Sequence, residues 1–220
     1  MGRGSSKASA RSSVTQATVQ NGTLINLPSP LVYGTKDAAV SDTIRPLVDN
    51  FETSKKQSKI EYSYCVDANG NVIETRRGGT TGVRVSNYAA NKAEVISHNH
   101  PRGANEYVLG GTFSDADISF FCKNKVQTFR ASAAEGTYSI TKSSTFNGRA
   151  FNSFVQSTYR ALEKTSNQAT KAITRDYNNG LINHRTAKRR TERSFNQMLI
   201  GMHNALLSNQ GTYGYTYTLE

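Results

Sequence analysis

The sequence predicts an α/β domain, a mixed sheet with flanking helices, with an α-helical hairpin inserted into it. Three observations carry that expectation. Short β-rich runs with hairpin punctuation fall between residues 60 and 98, two long stretches after residue 149 have helical periodicity, and the chain closes on alternating tyrosines. A length of 220 residues allows one ordinary core with additions too small to form a second one.

Composition narrows the class. Hydrophobic residues make up 36% of the chain and the mean hydropathy is -0.57. No apolar run approaches the roughly 18 residues a transmembrane helix needs, so no membrane partner is expected. Residues 1–20 are rich in Ser, Ala, Thr and Gly, carry Arg3, Lys7 and Arg11, and lack the apolar stretch of a secretory signal. A flexible basic tail over 1–24 and a cytoplasmic location are the expectations. Cys65 and Cys122 lie far apart without a CxxC, which argues against a disulfide framework and against a thiolate zinc site.

The net charge of +11 is unevenly placed: residues 142–203 hold eleven Lys/Arg against three Asp/Glu. That segment is a candidate surface for nucleic acid or another polyanion, centred on Arg185, Lys188, Arg189, Arg190 and Arg193. No aromatic residues are interleaved with this cluster, so a platform for stacking single-stranded bases is not indicated.

Pro28 and Pro30 forbid regular helix in the entry segment. Val40, Ile44, Leu47, Val48 and Phe51 have the spacing of an amphipathic helix over 36–51, with Pro46 as an interruption. Runs at 60–66 and 72–75, separated by Asp, Asn and Gly, predict a hairpin; 82–85 predicts a further strand, and 94–98 a buried strand. Strands are also expected at 136–140 and 212–219. Between them, helices over 149–177 and 181–207 are separated by an Asn178-Asn179-Gly180 stop. The stripe Phe195, Met198, Leu199, Met202 and Leu206 is assigned to core packing, and His184 and His203 to surface or packing roles. The core is thus expected over 25–141 and 210–220, with 142–209 as a basic helical hairpin inserted between its strands.

Chemistry concentrates at the end of the 94–98 strand. In Ser97-His98-Asn99-His100-Pro101 the two imidazoles are two residues apart, and on a strand they project to one face. Ser114 is a good helix N-cap, and Asp117 falls on the first turn, able to point back at the strand end. Two histidines and a carboxylate leave a fourth tetrahedral position open, the arrangement of a catalytic zinc site. Such a donor set fits Zn2+ better than calcium or magnesium.

The H-x-H-P run followed by S-x-x-D-I, over roughly residues 59–140, resembles the JAMM motif of the JAMM/MPN metalloproteases and the related RadC-like proteins. The resemblance implies a cytidine-deaminase-like α/β layout, zinc held by His98, His100 and Asp117, and Ser114 polarising a substrate carbonyl. It also implies a glutamate on an earlier strand acting on water. Glu61 is chosen for that role, with Glu74 and Glu52 as the alternatives. The implied substrate is a protein or peptide, cleaved at a peptide or isopeptide bond. One departure is the insertion over 102–112, which the family usually lacks and which is expected to form a flap. The letters His-Asn-His do not describe an HNH nuclease, whose motif spreads over a ββα unit. A catalytically silent module, binding nucleic acid or protein through the basic hairpin, is the competing expectation.

Overall fold

The computed structural model describes residues 31–101 and 108–220. The tail expected over 1–24 and the proline-bearing entry segment lie outside the described residues. In chain order the elements are α1 (Arg45–Lys55), β1 (Tyr62–Val66), β2 (Val72–Arg77), α2 (Asn87–Lys92), β3 (Val95–Asn99) and α3 (Asp115–Lys123). They continue as β4 (Thr128–Ser132), β5 (Thr137–Lys142), α4 (Gly148–Asn178), α5 (His184–Ser208), α6 (Gln210–Tyr213) and β6 (Tyr215–Leu219).

The strands form one sheet in the order β2-β1-β3-β4-β5-β6. Only β3 and β4 run parallel; every other neighbouring pair is antiparallel. The sheet is therefore mixed, with helices on both faces, as expected. The two faces differ in chemistry because side chains alternate along each strand. One face carries Cys65, Ile96, Phe129, Ala131, Tyr138, Ile140, Tyr217 and Leu219 into the main apolar core, where α3 adds Ile118 and Phe121, α4 adds Phe151 and Val155, and α5 adds Met202 and Leu206.

The other face, under α1, combines an apolar patch, in which Val66 and Val95 meet Val40, Ile44 and Val48, with a buried polar cluster. Arg130, fully buried at the centre of β4, forks onto Glu52 of α1 (Nε–Oε1 2.7 Å, Nη2–Oε2 3.0 Å) and reaches Glu220 beyond β6 (Nη1–Oε1 3.1 Å). Ser97 and Thr137 hydroxyls also donate to Glu52, at 2.7 and 3.1 Å. Alongside, Ser139 and Thr141 donate to Asp37 at 2.7 and 2.8 Å. A buried charge is tolerated only when paired and fully hydrogen-bonded, and this cluster meets that condition from segments far apart in sequence.

Several elements differ from the sequence expectation. The helix expected over 36–51 begins only at Arg45: the chain turns at Ser41, whose carbonyl accepts from the N–H of Ile44 and of Arg45, and Pro46 lies in the first helical turn. Proline there starts the helix, because its missing N–H has no acceptor to serve at that position. The strand expected over 82–85 does not form. A tight turn, closed by Gly79 N–H donating to Gly82 O at 2.9 Å, directs the chain away from the sheet edge, and Ser86 already caps α2 by accepting from Ala89 N–H at 3.1 Å. Residues 82–85 therefore form neither strand nor helix. Neither α2 nor β4 was anticipated.

The two long helices follow the expected bounds within three residues. They pack antiparallel: Ser166 meets Ser194, and Leu162 meets Gly201 further along α5. Gly180, with φ +70, occupies the left-handed conformation that ends α4. No helix among the described residues is long and apolar enough to cross a membrane.

Removing one partner from the buried cluster should be costly. Glu52→Ala is expected to lower the unfolding free energy by about 3–5 kcal/mol in denaturant titration, since it strands a buried guanidinium. A loss below about 1 kcal/mol would mean that Glu220 alone satisfies Arg130.

Candidate metal centre

His98 and His100 sit at the carboxyl end of β3. The N–H of His100 donates to Ser132 O at 2.8 Å, continuing the β3–β4 ladder one step past the strand, so both rings stay on the core face. His98 is 3% exposed and stacks on Phe129 with ring centroids 4.9 Å apart. The imidazole of His100 bonds through Nδ1 to the Gly111 carbonyl at 3.0 Å. A carbonyl can only accept, so Nδ1 carries a proton, and whenever the ring is neutral its unprotonated Nε2 is the atom turned towards His98.

Asp117 arrives from the first turn of α3 through a reciprocal cap. The Ser114 hydroxyl accepts from Asp117 N–H at 3.1 Å, while Asp117 Oδ2 accepts from the Ser114 N–H at 2.8 Å and its hydroxyl at 2.7 Å. This is the capping box, with Asp in the place usually held by Glu or Gln. The same bonds that start the helix fix the carboxylate against the two rings.

The three side chains converge. The two Nε2 atoms are 3.1 Å apart, His98 Nε2 is 3.5 Å from Asp117 Oδ1, and His100 Nε2 is 3.6 Å from Asp117 Oδ2. Three donors bound tetrahedrally at about 2.0–2.1 Å would be separated by about 3.3–3.4 Å, so these spacings fit. His98, His100 and Asp117 could hold a metal ion. Electrostatics agree with an anionic third donor. Burial alone would lift the Asp117 carboxyl, but the two imidazoles outweigh it and hold the group well below its ordinary value. For His100, burial opposes the charged ring, yet the bond and charge of Asp117 dominate and raise it.

Glu61 lies just before β1, held by its N–H on Gly79 O (2.7 Å) and its carbonyl under Gly78 N–H (2.8 Å). Together with the three donors and Ser114 it lines a cleft of about 740 Å³. Burial raises the Glu61 carboxyl above its ordinary value; His98, His100 and the Val83 backbone pull the other way. The other two glutamates are engaged elsewhere. Glu52 is in the Arg130 cluster, and Glu74 accepts from Ser86 N–H at 2.9 Å and pairs with Arg76 at 3.0 Å.

Sequence reasoning missed several residues of this cleft. Ser63 pairs in register with His98, and its buried hydroxyl has no partner among the described residues; a lone strand serine carries no signal for this. Residues 82–85, expected in the sheet, form one wall. Met198 and Met202, assigned to core packing, are buried as expected and also line the cleft, where they form an apolar wall on α5 with Leu199 and the 41% exposed Phe195. Of the expected flap, 102–107 lies outside the described residues, while Gly110 and Thr112 line the cleft. His184 and His203 stay away from the metal donors: His203 is buried with Nδ1 2.9 Å from Tyr217 Oη, and His184 is exposed beside Tyr177. No protein-family model, curated protein or solved structure matches the chain, so the site is read from its own residues.

Proposed function

We propose that the protein is a zinc-dependent hydrolase of JAMM/MPN type that cleaves a peptide or isopeptide bond with water. The observation that carries this reading is one cleft holding two imidazoles and a carboxylate at tetrahedral spacing, with a second, partly desolvated carboxyl group, Glu61, beside them. His98, His100 and Asp117 would hold the ion. A bound zinc supplies Lewis acidity, making water nucleophilic near neutral pH and polarising a carbonyl.

The remaining work belongs to the chain. Glu61 takes a proton from the attacking water and returns it to the leaving nitrogen, and its upward-shifted carboxyl is suited to holding that proton between the two steps. Ser114 supports Asp117 first: its only hydroxyl proton is donated to Asp117 Oδ2. Polarising a substrate carbonyl would require that hydroxyl to rotate away, with Asp117 still held by the Ser114 N–H. The apolar wall from α5 gives the cleft room for a substrate side chain next to the reacting bond.

The test is Glu61→Gln. Metal content is expected to match the wild type, while turnover of a peptide or isopeptide substrate falls by at least about 100-fold, the range of a general acid–base contribution. Full activity in Glu61→Gln would contradict the assignment of Glu61.

A second reading, a catalytically silent module of this fold that binds nucleic acid or protein, is favoured by one observation. Arg185, Lys188, Arg189, Arg190 and Arg193 are all exposed on one stretch of α5, with Arg190 3.8 Å from Asp176. Under that reading, affinity for duplex DNA falls steeply as salt rises, and Arg185→Glu/Arg189→Glu flattens the dependence. DNA binding that ignores both salt and these charges would remove this reading.

A further inference from the structure

The tautomer of His100 depends on the position of one carbonyl, that of Gly111. Gly111 lies at φ +81, a backbone conformation that side-chain-bearing residues rarely adopt, and a Cβ there would stand 2.8 Å from Leu199 Cδ2 of α5. A Cβ on Gly110 would stand 2.7 Å from Ala133 Cβ. The two glycines are thus wedged between the β4–β5 turn and α5, where their N–H groups need acceptors.

Both N–H groups reach one carboxylate. Gly111 N–H donates to Glu135 Oε1 at 2.8 Å and Gly110 N–H to Glu135 Oε2 at 2.9 Å. Glu135 belongs to the short turn between β4 and β5, which is itself closed by Ala133 N–H on Gly136 O at 2.8 Å. Tyr138 also donates to Glu135 Oε1, at 2.7 Å. One residue on, the Thr112 hydroxyl accepts from Tyr217 Oη at 2.9 Å, which ties the segment to β6. A hydrogen-bonded relay therefore runs from Glu135 through the Gly110-Gly111 backbone to His100 Nδ1.

We propose that Glu135 is a positioning residue for the metal centre: its carboxylate clamps Gly110 and Gly111 so that the Gly111 carbonyl holds His100 with Nε2 aimed at the ion. The inference rests on the metal reading above. A carboxylate is needed because it accepts two N–H donors side by side; a glutamine offers one oxygen and turns an NH₂ group against the second donor.

The experiment compares wild type, Glu135→Gln and Tyr138→Phe, each titrated with Zn2+ and Co2+ and each labelled with 15N-histidine for NMR without metal. Tyr138→Phe is the control for a purely structural role, since it removes a bond from the same carboxylate without touching the glycines. Glu135→Gln is expected to weaken metal binding by about 10–100-fold and to lose the protected His100 Nδ1–H resonance, with Tyr138→Phe within about twofold of wild type. Wild-type affinity and resonance in Glu135→Gln would overturn the proposal. Equal weakening in both variants would overturn it too, since the carboxylate would then serve general stability. Should the wild type take up no metal, the zinc reading fails, but the resonance still decides: its loss in Glu135→Gln supports the clamp, and its persistence refutes it.

Discussion

The parallel pairing of β3 with β4 is the constraint on which the site depends. Antiparallel neighbours can be joined by a tight turn, but a parallel pair needs a crossover that carries the chain back to the start of the second strand. Here the crossover is α3, so its first turn lies by the end of β3, where His98 and His100 emerge. Asp117 needs no separate device to reach the histidines: the bonds that cap α3 aim its carboxylate at them. Slipping β3 by one residue would turn Asn99 towards the core and both imidazoles to the opposite face.

The two faces of the sheet divide the labour among the carboxylates. On the α1 face, Arg130 draws in Glu52 and Glu220, and the hydroxyls of Ser97 and Thr137 complete the shell. On the sheet edge, Glu74 is occupied by Arg76 and the start of α2. Glu61 is the one of the three candidate glutamates that lines the cleft, and its backbone is held there by Gly78 and Gly79, one step past the β1–β2 ladder. The choice between these glutamates is made by pairing partners that no local pattern reveals.

That division marks how far the sequence can be read. The histidine pair on a buried strand, the Ser-x-x-Asp helix start, the 67–71 hairpin turn and the Asn-Asn-Gly stop are all encoded within a few residues, and each is found where its local chemistry places it. β4 was not legible. Its sequence Thr-Phe-Arg-Ala-Ser carries an arginine at the centre, and Glu52 and Glu220, 78 and 90 residues away, make that arginine compatible with a buried strand. Glu135 was invisible for a similar reason: it acts on backbone N–H groups 24 and 25 residues before it. Apolar spacing alone puts the onset of α1 too early and a strand at 82–85; Pro46 in the first helical turn and the Gly79–Gly82 turn decide both.

Elemental analysis of purified protein after zinc reconstitution tests most directly whether His98, His100 and Asp117 bind a metal. About one zinc per chain is expected in the wild type, and its loss in His98→Ala/His100→Ala. A wild type without stoichiometric metal, or a double variant that retains it, would contradict the proposed metal centre.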